Sequence, residues 1–272
     1  QVLNSAFTGE DESECGNSGG GRSAIYLEDS FVKMDRISIT QNTFGAFLRS
    51  SSGYLTNSTV NTKCNAVDTN SHLSTSVQNF TFVISDNIIT TSDGAGITAY
   101  DGAIVVAERN TISGAAEASG FGIRSSIVTA NDNDIGPIGG WNGFWIYGES
   151  DVSAENNTIL NTAKEPVLIG EYHHNDDGWN VPKPTKARLY FANNVISNNS
   201  GTCNSDATYG GDFPCPAFHV YMSSATFIDN IVSDNVGDGF RIKGGIVNAQ
   251  GNIMEVGGFG ANISLYDDNY GN

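Results

Sequence analysis

Seven residues, Arg124, Trp145, Tyr147, His219, Tyr221, Arg241 and Lys243, fall at the outward positions of short alternating segments, and their types suit carbohydrate chemistry. Aromatic rings stack on the faces of sugars, and a guanidinium grips a carboxylate through two parallel hydrogen bonds, so the set suits an acidic polysaccharide. Elimination on a uronic acid needs a cation to hold the sugar carboxylate and a Lys, Tyr or His base to take the neighbouring proton. His219, Tyr221, Arg241 and Lys243 are therefore the catalytic candidates, and Arg124, Trp145, Tyr147 and Trp179 the glycan-binding ones. Exposed strands favour the same residue types for cross-strand packing, so the cluster also has a purely structural reading.

Trp179 closes the segment Glu171-Tyr172-His173-His174-Asn175-Asp176-Asp177-Gly178-Trp179, which gathers carboxylates and imidazoles. Its oxygens could hold Ca²⁺ through Glu171, Asp176 and Asp177, and its imidazoles could take Zn²⁺ or Cu²⁺. Neighbouring side chains on an extended strand point to opposite sides, which sets His173 and His174 apart as ligands. A solvated surface loop accounts for the same composition.

What would line up residues so far apart in the chain is a repeat. Asn87, Asn110, Asn133, Asn157, Asn194, Asn230 and Asn252 each follow a short strand, at steps of 23, 23, 24, 37, 36 and 22 residues. The two long steps carry insertions at 171–186 and 200–216, so the period is intact. A second strand recurs as Gly94-Ala95-Gly96-Ile97, Gly120-Phe121-Gly122-Ile123, Gly143-Phe144-Trp145-Ile146, Ala217-Phe218-His219-Val220, Gly239-Phe240-Arg241-Ile242 and Gly260-Ala261-Asn262-Ile263. Such alternation turns every second side chain inward. Aligned on these segments, one outward column reads Tyr26, Phe47, Gly96, Gly122, Trp145, Leu168, His219, Arg241 and Asn262. The next reads Glu28, Arg49, Thr98, Arg124, Tyr147, Gly170, Tyr221, Lys243 and Ser264. A unit of this size cannot close a core alone and must stack on its neighbours. Asn at one corner can bond its equivalents above and below. Asp93, Asp101, Asp132, Asp134, Asp229, Asp234, Asp238, Asp267 and Asp268 fall at turns and are read as structural.

This pattern resembles the right-handed parallel β-helix repeat proteins, a superfamily of pectate-lyase-like enzymes, polygalacturonases and many surface solenoids, over about residues 23–266. The expected fold is all-β, a right-handed parallel β-helix of about 9–10 coils. Gly239-Phe240-Arg241-Ile242-Lys243 is similar to the Arg-Ile-Lys signature of polygalacturonases, which implies a role for Arg241 and Lys243 in holding a substrate carboxylate. The Gly-His-Gly motif and the paired aspartates that accompany that signature are missing. Residues 1–22 read as a unit apart, with a lone strand over 1–7 and an acidic, Gly-rich linker, and residues 23–272 as the solenoid.

The formal charge of −17, from 30 acidic and 13 basic residues, disfavours nucleic acid as a partner. No apolar run is long enough to span a bilayer, which argues against membrane insertion. The chain opens on Gln1, as a processed mature end would. Cys15, Cys64, Cys203 and Cys215 form no Cys-x-x-Cys pair; Cys203 and Cys215 bracket one loop and are expected to bridge, leaving Cys15 for Cys64. Disulfides place the protein outside the cell or on its surface. Asn57, Asn79, Asn156, Asn198 and Asn262 head glycosylation sequons. With no complete catalytic set and no evident cap after the last strand, the expected role is a structural or adhesive solenoid with a glycan-binding face. Its expected partners are copies of itself, through donation of the 1–7 strand to a neighbour's last coil. The alternative is a lyase or glycoside hydrolase acting on an acidic polysaccharide.

Overall fold

The structure, a computed structural model, describes residues 1–9, 15, 23–71, 80–114, 118–174, 180–183, 186–203 and 213–264. Among them are three parallel sheets of ten strands each, which make ten coils of a right-handed β-helix. Each coil contributes one strand to each sheet in order. The fifth, for example, runs Ile104–Glu108, Thr111–Gly114 and Ser119–Arg124. No helix is long and apolar enough to cross a membrane.

The alternation in sequence becomes columns in space. Inward side chains stack on their own kind: Phe121 lies flat on Phe144 with ring centroids 4.7 Å apart, and Phe218 on Phe240 at 4.9 Å. Ile84, Ile89, Ile112, Phe121, Ile146 and Phe191 are fully buried. Each such side chain contributes on the order of 1.5–3 kcal/mol. The turns are set by polar residues in the left-handed region, mostly Asn and Asp: Asn57, Asp86, Arg109, Asp132, Asn156, Asn193 and Asp229 have φ between 50° and 59°. Each stands directly before a ladder residue, so the strained position belongs to the neighbour of the repeated Asn and not to the Asn itself.

The ladder is continuous. The Nδ2 groups of Asn87, Asn110, Asn133, Asn157, Asn194 and Asn230 each donate to Oδ1 of the next ladder Asn, at 2.8–3.0 Å. The same oxygen also accepts the backbone N–H of the preceding ladder residue. A further bond ties Nδ2 to a strand carbonyl of the coil below, as Asn133 to Ala107 at 3.0 Å. The buried amides of the ladder are thus fully used, as buried amides generally are. Toward the N-terminus Ser58 takes over, its N–H donating to Asn87 Oδ1 and its Oγ accepting from the Ile37 N–H.

The N-terminal segment does not stand apart. Val2–Leu3 pairs with Phe31–Asp35, and Ala6–Thr8 with Ser38–Asn42, so these residues form the first coil of the same stack. The solenoid therefore includes Val2–Leu3 and Ala6–Thr8 and is not confined to the residues from 23 onward. Val2 and Phe7 pack on the core, which is what fixes the segment in its own chain. Both disulfides join the expected partners, Cys15 with Cys64 and Cys203 with Cys215. The two insertions carry antiparallel hairpins, Glu171–His174 with Asn180–Lys183 and Thr202–Cys203 with Phe213–Pro214.

Candidate functional site

The outward faces of the three sheets differ. On the first two, large outward side chains lie open: Phe31, Tyr54 and Ile127 on the first, Ile88 and Ile231 on the second. On the third, Asp68, Thr98, Tyr147, Leu168, His219 and Tyr221 point outward and are nevertheless buried. In chain order the long connections adjoin the strands of this sheet: 9–22 and 198–217 precede them, and 71–80 and 170–187 follow them.

The observed register gives the first outward column as Tyr26, Phe47, Asp68, Thr98, Gly122, Trp145, Leu168, His219 and Arg241. The second runs Glu28, Arg49, Asn70, Tyr100, Arg124 and Tyr147. In the fourth coil this is two residues beyond the alignment expected from sequence, because Ile97 pairs with Phe121 and not with Ile123. A slip of two keeps inward residues inward, so the alternation gave no warning. It did conceal Tyr100, and the irregular third coil concealed Asp68 and Asn70. The turn residue that directly follows the column, Asp101, Ser125 or Gly148, all with positive φ, is the signal that would have aligned them.

Two clusters result. In the middle coils Asp68 Oδ2 accepts from Asn65 Nδ2 at 3.1 Å, while Asp68 Oδ1 and Asn70 Oδ1 are buried without a hydrogen-bond partner. Burial pushes the Asp68 carboxyl above its usual range. Tyr100 crosses Gly122, where an added Cβ would sit 3.2 Å from its hydroxyl, and is hydrogen-bonded to Tyr147. Burial drives the Tyr100 hydroxyl far up, so it serves as a donor and not as a base. Trp145 and Tyr147 stack at 4.8 Å. Arg124 lies 4.9 Å over the Tyr100 ring and is closed on Asp101 by bonds of 3.1 and 2.6 Å.

In the later coils His219 Nδ1 lies 2.8 Å from Glu165 Oε1, and Asn142 Nδ2 donates to Glu165 Oε2 at 3.1 Å. Burial raises the Glu165 carboxyl, but the hydrogen bond and charge of His219 outweigh it and hold the group below its ordinary range. The Tyr221 ring packs 4.0 Å from the imidazole, and burial raises its hydroxyl well above the usual value. Arg241 meets Asp238 at 3.1 Å, and Lys243 is in register with Tyr221. Glu165 sits in a turn outside the repeat, and no spacing marked it. The catalytic candidates His219, Tyr221, Arg241 and Lys243 are thus brought together, and so are the glycan candidates Arg124, Trp145 and Tyr147. They do not make an open platform: His219 is 1% exposed, Tyr221 2% and Tyr147 9%.

Asp176, Asp177, Trp179 and Asn79 lie outside the described residues, while Glu171 opens a hairpin strand and Asn262 is in register with Arg241. Of the sequon residues, Asn57, Asn156 and Asn198 are exposed at turns with positive φ. No protein-family model, no curated protein and no solved structure matches the chain.

Proposed function

We propose that the protein is an extracellular, non-catalytic β-solenoid that binds glycan along its third sheet and stacks end to end with copies of itself. The observation that carries this reading is that the arginines of the third sheet are already occupied. Arg49 meets Glu28, Arg124 meets Asp101 and Arg241 meets Asp238. Uronate chemistry needs a cation free to take the substrate carboxylate, whereas binding through aromatic rings and hydrogen bonds does not. Two disulfides support an oxidising, extracellular setting.

Stacking now rests on strand edges and not on a donated strand. Val2–Leu3 and Ile246–Gln250 are the outermost strands of the same sheet among the described residues, so one molecule's last coil matches the next one's first. Ile263, in the inward column of the last coil, is 68% exposed, which favours such a contact. Light scattering and negative-stain microscopy test this: concentration-dependent rods are expected, lost in Ile263→Asp, and a monomer at every concentration removes the stacking part. A glycan array on the same protein tests the binding part, with signal expected to fall in Trp145→Ala.

Asp68 favours a second reading, a polysaccharide hydrolase. A carboxyl whose pKa is raised by burial, with Tyr100 and Arg124 nearby, has the property of a general acid. Release of reducing ends from any glycan, abolished in Asp68→Asn, would establish it.

A further inference from the structure

The Glu165 carboxylate, Cys203 Sγ and Cys215 Sγ are all buried and lie within 4.8 Å of one another. In the oxidised protein the two sulfurs form a disulfide at the base of the Thr202–Cys203 and Phe213–Pro214 hairpin. From this geometry we infer that, in the reduced chain, Cys203, Cys215 and Glu165 form a buried site for a zinc-class divalent ion that closes the same hairpin. His219 holds Glu165 in place through its Nδ1 contact with Oε1.

The donor set suits the ion. Two thiolates and a carboxylate are among the ligands zinc takes, and three protein ligands leave one tetrahedral position open. The carboxylate is already oriented by His219 and Asn142, through contacts of 2.8 and 3.1 Å. Partners of this kind behind a ligand tune metal affinity. Most of the charge is compensated: two thiolates and Glu165 carry three negative charges against two on the ion, and the remaining carboxylate charge is met by hydrogen bonding from Asn142 and the contact with His219.

The steps close chemically. A dithiol or thiol reductant donates two electrons and two protons to the disulfide, giving two Cys thiols and an oxidised reductant disulfide. The metal then displaces both thiol protons to solvent as two metal–sulfur bonds form. The ion is thus an alternative staple for a hairpin whose disulfide has not formed.

Co²⁺ reports such a site directly. The full chain, produced and kept in reductant and carrying Cys15→Ser with Cys64→Ser so that only one pair remains, is titrated with Co²⁺. Expected are one equivalent bound, sulfur-to-cobalt charge-transfer and tetrahedral ligand-field bands, and displacement by Zn²⁺. The oxidised protein should bind none. Cys203→Ser should abolish the bands, and Glu165→Gln and His219→Gln should each weaken binding by about tenfold or more. Far-ultraviolet circular dichroism checks that each variant keeps its strands. No bands in the folded, reduced chain would overturn the site. Affinity unchanged in Glu165→Gln would reduce it to an incidental dithiol.

Discussion

Two buried carboxylates, one on the third sheet and one in the connection that leads into it, respond to pH in opposite senses. Asp68 has a folded pKa raised by burial, so folding favours its protonated form. The stability it supports is present below the ordinary carboxylate range and is lost as pH rises through the raised value. Asp68→Asn should therefore raise the thermal midpoint at pH 7–8, with the gap to wild type closing toward pH 4. A gap independent of pH would refute the raised carboxyl. Glu165 is depressed, and the stability it supports is lost as pH falls through its lowered value. A ladder residue offers a second test. Asn133→Ala removes the bonds to Asn157 and Ala107 and strands the donors of Asn110, at a cost of about 3 kcal/mol or more. Asn252, partly exposed on the last coil, should cost about 1 kcal/mol. Equal losses in urea denaturation would show that burial does not set the ladder's worth. The ladder was legible because one residue type recurs at one place. Asp68, Asn70 and Glu165 were not, since each stands in an irregular coil or a turn and owes its character to what buries it.

At the level of the strand, the third sheet depends on small residues where the chain turns into it. A Cβ on Gly120 would meet the Gly143 carbonyl oxygen at 2.5 Å and Ile135 Cγ2 at 2.6 Å, and the next coil repeats the crowding, with Gly143 against Pro166. Gly120→Ala should cost about 1–3 kcal/mol by overpacking. The urea midpoint reads it, and a neutral result would mean that the coils can part to admit a methyl group. These glycines were visible in the sequence as the first letter of their second strands. Their reason was not, because it lies in the neighbouring coil. The same holds for register: period-two alternation fixes which side chains face inward, but successive coils may slip by two at no cost to that pattern. Tyr100 was lost to such a slip, and with it the link between Asp68 and Arg124.

For the molecule as a whole, each coil touches chiefly the coils on either side, so stability should grow with their number. Duplicating residues 104–126, a complete coil that begins and ends in register, should lengthen the rod by about 4.8 Å and raise the urea midpoint. A lower midpoint would mean that neighbouring coils are matched more closely than their shared pattern implies. The N-terminal residues illustrate where sequence reading stops: a lone strand was expected over 1–7 where two short strands form, and an intervening acidic stretch hid that they pair with the coil that follows. The Asn ladder has one more property. Apart from the Nδ2 hydrogen that turns back to a carbonyl of the preceding coil, its donors point the same way, each coil offering a second Nδ2 hydrogen and a backbone N–H to the next coil's Oδ1. A chain leaving the ribosome presents its coils in that order, so every finished coil waits for the one about to emerge. Synthesis and hydrogen bonding then run in one direction, and the rod is suited to being built as it is translated.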